Sequence, residues 1–429
     1  MLLRFGFENH TSFRDYTELS LVAAGISDEP DHRLAAEGTP HGVLPVVGLY
    51  GANAAGKSNV VGAFSFFREA VLASQVERKP DALIPVNPFL LDSASPGRPM
   101  RADCDLILDG TRYHYGFVAD RYRYLEEWLF AWPKGRQQVW FERKAGGDDP
   151  WYFGPNLKGR NRQIAELTRP NSLFLSAAAQ LNHAQLGPLY EAFSGGMLRS
   201  HQPVESGPMI LSKDAPVLQA AHRHTVVGLL QVADLGIVAL QERDEAERMQ
   251  DLLTNLGEQG IIGEAVLLLR DEIGARGARS IRLGHRAISG EVTWLDFERE
   301  SRGTQMLLHR LNTVLMALAH GRLLVIDEID TSLHPHLCAR LVGLFTDPRA
   351  NPKGAQLLFT THDETLLQHL RRDEVYLVDK DTGGVSRLTP LTDFETRKRD
   401  DIQRGYDEGR FGGVPILGDF AAVVACGEE

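Results

Sequence analysis

The chain has 429 residues, of which 43% are hydrophobic and 24% are charged, and its net charge is −11 at pH 7. These values are typical of a soluble globular protein of two or three packed units, and no run approaches the roughly 18 apolar residues of a membrane span. The acidic balance excludes a protein that coats DNA through its overall charge, because such affinity comes from neutralised phosphates.

The cysteines and the N-terminal residues indicate the cellular compartment of the protein. Cys104, Cys338 and Cys426 are odd in number and far apart, so they predict neither a disulfide framework nor a metal site. The first residues lack the basic and apolar regions of a signal peptide. We therefore expect a cytoplasmic protein with reduced thiols.

A β-hairpin is the first predicted element. Apolar residues at 2–7 and 16–22 flank a polar turn, which is typical of two paired strands. Residues 26–45 follow, and their Pro, Gly, Asp and His residues predict a loop.

The next segment carries a phosphate-binding motif. Residues 51–58 spell Gly-Ala-Asn-Ala-Ala-Gly-Lys-Ser, the complete G-x-x-x-x-G-K-S pattern. Apolar residues predict a strand at 46–50 and a helix after the motif. Backbone N–H groups of such a turn cradle a β-phosphate. Lys57 is expected to reach the β- and γ-phosphate oxygens, and Ser58 is expected to hold Mg²⁺, which together predict ATP and Mg²⁺ as the ligands.

Short β-rich segments with turn signals come next and predict an antiparallel sheet. They lie at 103–108, 112–118, 128–131, 138–144 and 151–153. Residues 160–275 are interpreted as mainly helical, without sustained heptads, so they predict a compact helical arm and not a long coiled coil. From residue 280 the pattern returns to strands and then alternates helix and strand to about 395.

This order predicts an α/β fold of three parts. Residues 1–155 are expected to form a nucleotide-binding lobe with the hairpin and the antiparallel β subdomain, 156–280 the inserted helical arm, and 281–429 a second lobe with a C-terminal tail.

Two further strands are predicted to end in functional side chains. An apolar run at 323–326 is followed by Asp327 and Glu328. In nucleotide hydrolysis, the first carboxylate orders Mg²⁺ and the second polarises the attacking water. The run at 356–361 delivers His362 at its carboxyl end, where ligands bind in open α/β sheets. His362 is therefore a candidate γ-phosphate contact.

Residues 301–305, which we name the signature turn, have the sequence Ser-Arg-Gly-Thr-Gln and precede an apolar helix. A small-residue turn at the start of a helix presents free N–H groups to an anion. An ordinary N-cap by Ser301 explains the same residues, and the sequence by itself favours that explanation.

Taken together, these motifs resemble the ABC-type ATPases of the SMC/RecF/OLD group. The resemblance rests on the phosphate loop, the long insertion, the signature turn, the Leu-Leu-Val-Ile-Asp-Glu strand, the Asp-x-Ser-Leu-His turn and the strand-terminal His362. The N-terminal hairpin and the tail at 405–415 are similar to those of stand-alone AbiL/RloA-like ATPases of abortive-infection and restriction-linked operons. The resemblance covers roughly residues 1–120 and 290–415. It implies a P-loop NTPase head with a mixed parallel sheet flanked by helices.

The resemblance also implies how the residues act. Such heads form head-to-tail homodimers, or higher homo-oligomers, with ATP between them. Lys57, Glu328 and His362 would be catalytic, with Ser58 and Asp327 at Mg²⁺. The remaining phosphate-loop contacts would be Gly51, Asn53, Ala54, Gly56 and Asn59.

Other implied contacts involve the second subunit or the base. The resemblance implies that Ser301, Gly303 and Thr304 of the signature turn would cap the γ-phosphate from the partner. It also implies that Asp330 and Ser332 would cross the dimer axis. Arg4 and Asn9 would border the adenine.

The sequence departs from this group in two ways. No Q-loop glutamine is recognisable, although residues 87–89 fall where that loop is expected, and the cassette signature is reduced to the signature turn. Asp379-Lys-Asp381 is interpreted as a hairpin turn in preference to a nuclease metal site. His334-Pro335-His336 is interpreted as the start of a helix and not a metal site.

The leading hypothesis is an ATPase whose ATP-dependent dimerisation controls a separate effector, a nuclease or toxin encoded nearby, in anti-phage defence. The alternative is a RecF-like, ATP-dependent DNA-binding protein, for which the basic residues 158–162 are the candidate nucleic-acid contact. A transporter cassette is disfavoured by the reduced signature and the hairpin, so we expect no membrane partner. A scaffold that hardly hydrolyses ATP is disfavoured by the intact set Asp327, Glu328 and His362.

Overall fold

The computed structural model describes residues 1–27, 31–146, 149–200, 211, 215–233, 236–244, 279–395 and 401–412. The chain divides into two compact units. The first comprises Met1–Arg199, His320–Asp330 and Val342–Glu429, and the second comprises Ser200–Ala319 and Thr331–Leu341.

The strands in chain order are β1 (Leu2–Glu8), β2 (Thr17–Ser20), β3 (Val46–Tyr50), β4 (Met100–Leu108), β5 (Thr111–Ala119), β6 (Tyr124–Trp132), β7 (Gln138–Lys144), β8 (Trp151–Phe153), β9 (Met197–Ser200), β10 (Ile237–Asp244), β11 (Arg279–Arg286), β12 (Val292–Asp296), β13 (Leu323–Ile326), β14 (Gln356–Thr360), β15 (Val375–Lys380) and β16 (Ser386–Pro390). The helices are α1 (Lys57–Ala73), α2 (Asn161–Leu167), α3 (Phe174–Gln180), α4 (Gly187–Ser194), α5 (Ala220–Val232), α6 (Arg302–His320), α7 (Pro335–Thr346) and α8 (Ile402–Asp407).

A six-stranded sheet of the first unit positions the phosphate loop. Its order is β16-β15-β3-β14-β13-β9, and the neighbours β15, β3, β14 and β13 run parallel. All five residues of β3 are buried, as expected for a strand covered on both faces. Because parallel strands end at one edge of the sheet, the segments that follow β3, β13 and β14 lie side by side.

The predicted antiparallel sheet is also present. Seven strands have the order β2-β1-β4-β5-β6-β7-β8, and β1 pairs with β2 in the predicted hairpin. Asp109 and Gly110, with φ of 48° and 74°, form the two-residue turn between β4 and β5. The predicted α/β class, with a mixed sheet and an antiparallel β subdomain, is therefore confirmed.

An aromatic core joins the phosphate-loop helix to this antiparallel sheet. Phe67 of α1 stacks on Phe117 of β5 with ring centroids 5.5 Å apart, and it contacts Phe5 of β1 edge-on at 5.7 Å. Phe5, Phe67 and Phe117 are each 0% exposed. Burying each ring stabilises the fold by about 2 kcal/mol, which fixes α1 against the sheet.

The second unit is a mixture of helix and sheet. Helix α5 is helical as predicted, and β10, β11 and β12 form a three-stranded antiparallel sheet. The interpretation of 160–275 as mainly helical is wrong for 237–244, which form β10 and pair with β11. This pairing joins residues about 40 positions apart, so the local periodicity of the sequence does not reveal it. Tertiary pairing here overrides a weak local preference for helix.

Several predictions fall outside the described residues. They are the arm at 201–210, 212–214, 234–235 and 245–278 and the tail from 413 onward. Among the residues that the structure describes, no helix has the length and apolar character needed to cross a bilayer.

Candidate nucleotide site

The phosphate loop has two glycines that no other residue can replace without movement. Gly51 has φ of 151°, and a Cβ there would lie 2.2 Å from the carbonyl oxygen of Val378. Gly56 has φ of 120°, and its Cβ would lie 2.5 Å from the Ser386 hydroxyl. Only glycine combines this backbone with such close approach, so the loop shape is built into the motif.

Three polar side chains outside the motif brace the loop. The Ser386 hydroxyl donates to the carbonyl oxygen of Ala55 at 2.5 Å, and its oxygen lies 2.7 Å from that of the Ser12 hydroxyl. Ser12 also accepts from the Asn59 amide at 2.7 Å. Asn59, predicted as a nucleotide contact, therefore places its amide on the hairpin turn. Sequence reasoning gave neither serine a role in the site, because Ser12 was interpreted only as part of the hairpin and Ser386 lies in no recognisable motif.

Lys57 is buried inside the loop. Its ammonium donates to the carbonyl oxygens of Gly51 at 2.6 Å and Ala52 at 3.1 Å, and it lies 3.3 Å from Nδ1 of His362. Burial lowers the pKa of Lys57 to about 8, which the charges of Asp330, Glu328 and Asp327 partly oppose. The lysine ammonium is thus held by carbonyl oxygens of the loop in which phosphates are expected to bind.

The carboxylates after β13 lie beside the loop, as predicted. Oδ1 of Asp327 accepts from the Ser58 hydroxyl at 3.1 Å and from the Thr360 hydroxyl at 2.7 Å. Thr360 also accepts from the backbone N–H of Glu328 at 2.7 Å, so one buried hydroxyl fixes both acidic residues. Glu328 has φ of 52°, a left-handed conformation that is uncommon for non-glycine residues.

The third strand end delivers His362 to the same place. Its backbone N–H donates to Oδ2 of Asp330 at 3.2 Å. Oδ1 of Asp330 is buried and has no hydrogen-bond partner among the described residues. The structure thus brings Lys57, Ser58, Asp327 and His362 together, although they come from three separate segments.

This arrangement fits a nucleotide triphosphate with Mg²⁺. The Ser58 hydroxyl and the Asp327 carboxylate are the hard oxygen ligands that Mg²⁺ requires. Asn53, Ala54 and Ser58 are exposed, so the outer face of the loop is open to a ligand. Among the described residues, no separate cluster of three His, Cys, Asp or Glu residues is arranged to hold a metal.

The signature turn belongs to the second unit, whereas the residues above belong to the first. The Ser301 hydroxyl accepts from the backbone N–H of Thr304 at 3.2 Å, which is the geometry of a helix N-cap. A Cβ on Gly303 would lie 3.1 Å from the carbonyl oxygen of Ser332. The helix N-cap by Ser301 is therefore confirmed. The contact of Ser301, Gly303 and Thr304 with the γ-phosphate of a partner subunit stays a prediction.

The adenine assignment of Asn9 is wrong. Its side chain is 0% exposed; its amide donates to the carbonyl oxygens of Ser95 and Arg98, and its oxygen accepts from the N–H of Phe89. Asn9 thus holds the 87–99 segment in place. Arg4 forms ion pairs with Asp103 at 2.7 Å and Asp105 at 2.9 Å on the antiparallel sheet.

Two local interpretations are confirmed. Residues 381–385 form the turn between the antiparallel strands β15 and β16, and Pro335 begins α7 directly after His334. In the basic segment 158–162, Arg162 pairs with Asp149 at 2.7 Å, and both side chains are more than half exposed. That segment's nucleic-acid role stays a prediction.

A comparison with known protein families matches most of the chain. A family model described as "AAA domain, putative AbiEii toxin, Type IV TA system" matches residues 46–368. One solved structure that the chain resembles is titled "Crystal structure of the SmcHead bound to the C-winged helix domain of ScpA". It is 11% identical, with a TM-score of 0.44 over 90% of this chain and 97% of that chain. No curated protein matches the chain.

Proposed function

We propose that this chain, which belongs to the AAA-domain family whose model matches residues 46–368, binds ATP and hydrolyses it to ADP and phosphate. One observation carries the proposal: Lys57, Ser58, Asp327 and His362 meet at the carboxyl edge of one parallel sheet. The resemblance stated from the motifs is confirmed at the level of this ATPase family, and the AbiL/RloA-like grouping stays a prediction.

The residues divide the chemistry among them. Lys57 and the loop N–H groups bind and orient the phosphates, and Ser58 and Asp327 would hold Mg²⁺, which neutralises phosphate charge when bound. Glu328, held by Thr360, accepts a proton from the attacking water. His362, whose Nδ1 lies 3.3 Å from the Lys57 ammonium, contacts the γ-phosphate. Catalysis then depends on positioning and charge neutralisation, as in other phosphoryl transfers.

Within this proposal, ATP joins two copies head to tail. The signature turn of one copy would cap the γ-phosphate bound by the phosphate loop of the other, which converts nucleotide binding into a change of assembly. The family description names a toxin of a toxin–antitoxin system. Because a toxin–antitoxin system has two components, that description supports a separate protein partner, and we propose that this partner is an effector in anti-phage defence.

The decisive experiment is sedimentation velocity of the Glu328→Gln variant with and without ATP–Mg²⁺. We expect a shift from monomer to dimer with ATP and none with ADP, because the variant binds ATP but hydrolyses it at least about 100-fold more slowly. Adding Lys57→Ala to the same variant is the control, since it removes the phosphate contact and should abolish the shift.

Three outcomes would contradict parts of the proposal. Normal phosphate release by Glu328→Gln would remove Glu328 as the base. A sedimentation coefficient that ATP does not change would contradict the head-to-tail mechanism. A shift that requires a DNA duplex would replace effector control by the RecF-like alternative.

A further inference from the structure

One amide and two serine hydroxyls form a row of hydrogen bonds that ends on the phosphate loop. The Asn59 amide donates to the Ser12 hydroxyl at 2.7 Å, and the hydroxyl oxygens of Ser12 and Ser386 are 2.7 Å apart. The Ser386 hydroxyl donates to the carbonyl oxygen of Ala55, inside the loop, at 2.5 Å. Ser386 is 3% exposed and Ala55 is 4% exposed. We name Asn59, Ser12 and Ser386 the serine relay.

The direction of each hydrogen bond in the serine relay follows from the available hydrogens. A hydroxyl has one hydrogen, and a carbonyl oxygen can only accept. The Ser386 hydrogen therefore lies on the Ala55 oxygen, and the hydrogen between the two serines comes from Ser12. All three bonds point towards the loop, so each donor polarises the next one and strengthens its bond.

Backbone contacts hold the two serines beside the loop. The backbone N–H of Ser386 donates to the carbonyl oxygen of Ser12 at 2.8 Å, which joins β16 to the turn between β1 and β2. A Cβ on Gly56 would lie 2.5 Å from the Ser386 hydroxyl and 2.9 Å from the Ser12 hydroxyl. The second glycine of the motif and the two serines are therefore fitted to one another.

The Ser386 bond determines how the peptide between Ala55 and Gly56 is turned. In a planar trans peptide, the C=O and N–H groups point in opposite directions. Because the Ala55 oxygen faces Ser386, the N–H of Gly56 faces away from the serines. That N–H has no hydrogen-bond partner among the described residues. Free N–H groups in such a turn are suited to phosphate oxygens.

We propose that the serine relay is a positioning device of the nucleotide site, which fixes the 55–56 peptide so that the N–H of Gly56 is presented to a phosphate oxygen. The inference rests on the proposed ATP binding. Without the Ser386 hydroxyl the peptide is free to rotate, so binding has to order it first and affinity falls. The relay leaves Lys57 and Glu328 in place, so the rate of bond breaking changes little.

The test compares Ser386→Ala with a matched serine variant of the full chain. Ser172→Ala removes another buried hydroxyl, which donates to Oε1 of Gln75 at 2.7 Å. Gln75 follows the far end of α1, about 25 Å along the helix from the phosphate loop. Equilibrium binding of a fluorescent ATP analogue, kcat at saturating ATP and Tm are measured for wild type and each variant.

We expect Ser386→Ala to raise Kd about fivefold, the value of one ordinary hydrogen bond, with kcat within about twofold of wild type. Ser172→Ala should leave Kd unchanged. Ser12→Ala keeps the bond to Ala55 and loses its polarisation, so its Kd should lie between those of wild type and Ser386→Ala. Equal Kd values for Ser386→Ala and Ser172→Ala, or a higher Kd for Ser12→Ala than for Ser386→Ala, would overturn the inference.

A second readout needs no nucleotide. Alanine labelled with ¹³C at the carbonyl and glycine labelled with ¹⁵N select three Ala–Gly pairs, 24–25, 55–56 and 145–146. The Ala55 carbonyl signal should move upfield in Ser386→Ala and not in Ser172→Ala, because its oxygen loses a hydrogen bond. An Ala55 signal that stays in place would overturn the inference even if wild-type protein binds ATP. A shifted signal together with wild-type protein that does not bind ATP would contradict the proposed function and overturn the positioning role that rests on it.

Discussion

At the scale of single residues, Lys57 shows how burial prepares a group for its ligand. Lys57 is 5% exposed, and its ammonium donates to the loop carbonyls of Gly51 and Ala52. Desolvation lowers its pKa, whereas the nearby carboxylates raise it. The loop carbonyls and His362 provide a temporary position from which the lysine can move to phosphate.

The lowered pKa of about 8 predicts a pH-dependent affinity. Bound phosphates raise the pKa of Lys57, so nucleotide binding takes up a proton once the free enzyme's lysine is deprotonated. We expect the ATP association constant to fall as pH rises above about 8, approaching tenfold per pH unit. Equilibrium titrations with ATP from pH 7 to 9.5 measure the association constant.

Lys57→Arg is the control for this profile, because guanidinium keeps its charge throughout that range. Its affinity is expected to be lower than that of wild type but nearly independent of pH. A wild-type profile as flat as that of Lys57→Arg would contradict the lowered pKa.

Thr360 provides the second prediction at this scale. Its side chain is buried, and its hydroxyl bonds to both Asp327 and the Glu328 backbone. Thr360→Val keeps the shape but leaves the Glu328 N–H without that acceptor, which should cost about 1–3 kcal/mol of stability. We also expect kcat to fall at least about tenfold, because both carboxylates lose their common support.

Thr360→Ser is the matched variant, since it keeps the hydroxyl and loses a methyl group worth about 1 kcal/mol. Phosphate release and urea unfolding distinguish the two. Equal kcat values for the Val and Ser variants would show that the hydroxyl does not position the acidic residues.

At the scale of elements, the docking of α8 includes a pair of carboxylic acids. A hydrogen bond with Asp407 of α8 raises the pKa of Glu364 to about 7, and burial and the charges of Asp407 and Asp363 add to this effect. Tyr406 also lies near Glu364. Between about pH 4.5, the ordinary pKa of a glutamic acid side chain, and about pH 7, the folded chain therefore keeps a proton on Glu364 that the unfolded chain has lost.

The sign of the pH dependence follows from this shift. A folded-state pKa above the unfolded value stabilises docking at low pH, and this contribution is lost as pH rises through about 7. We expect hydrogen-exchange protection of residues 402–407, corrected for intrinsic rates, to fall between pH 6 and pH 8. Glu364→Gln keeps a neutral donor, so its protection should be the same at pH 6 and pH 8. An equal fall in that variant would show that the proton on Glu364 does not stabilise the docking.

At the scale of the whole molecule, the proposed dimer makes a prediction about mixed subunits. Lys57→Ala removes the phosphate contact of the first unit, and Gly303→Asp places a negative charge in the signature turn of the second. Each variant alone should be inactive. In a mixed dimer, one composite site contains both changes and the other contains neither.

Mixing the two inactive proteins should thus restore about a quarter of wild-type ATPase activity, because about half the dimers are mixed and each has one intact site. Phosphate release from titrated mixtures measures this. Absence of recovery, with dimers shown by sedimentation, would place the signature turn and the phosphate loop of one subunit at the same site.

The sequence by itself determined the phosphate loop, the acidic strand end and His362. Each of these follows a short apolar strand directly, so consecutive residues carry the whole signal. The parallel order of β3, β14 and β13 then brings them to one edge. For the same reason the hairpin, the antiparallel sheet and the turn at 381–385 were predictable.

Only the tertiary structure decided which other residues support that site. Ser12 and Ser386 meet across 374 positions, and the ring of Tyr406 contacts that of Tyr50 edge-on at a centroid distance of 6.2 Å. Asn9 turned out to hold a loop, and 237–244 pair as a strand. Such contacts depend on how distant segments pack, and packing leaves no periodic pattern in the local sequence that could predict them.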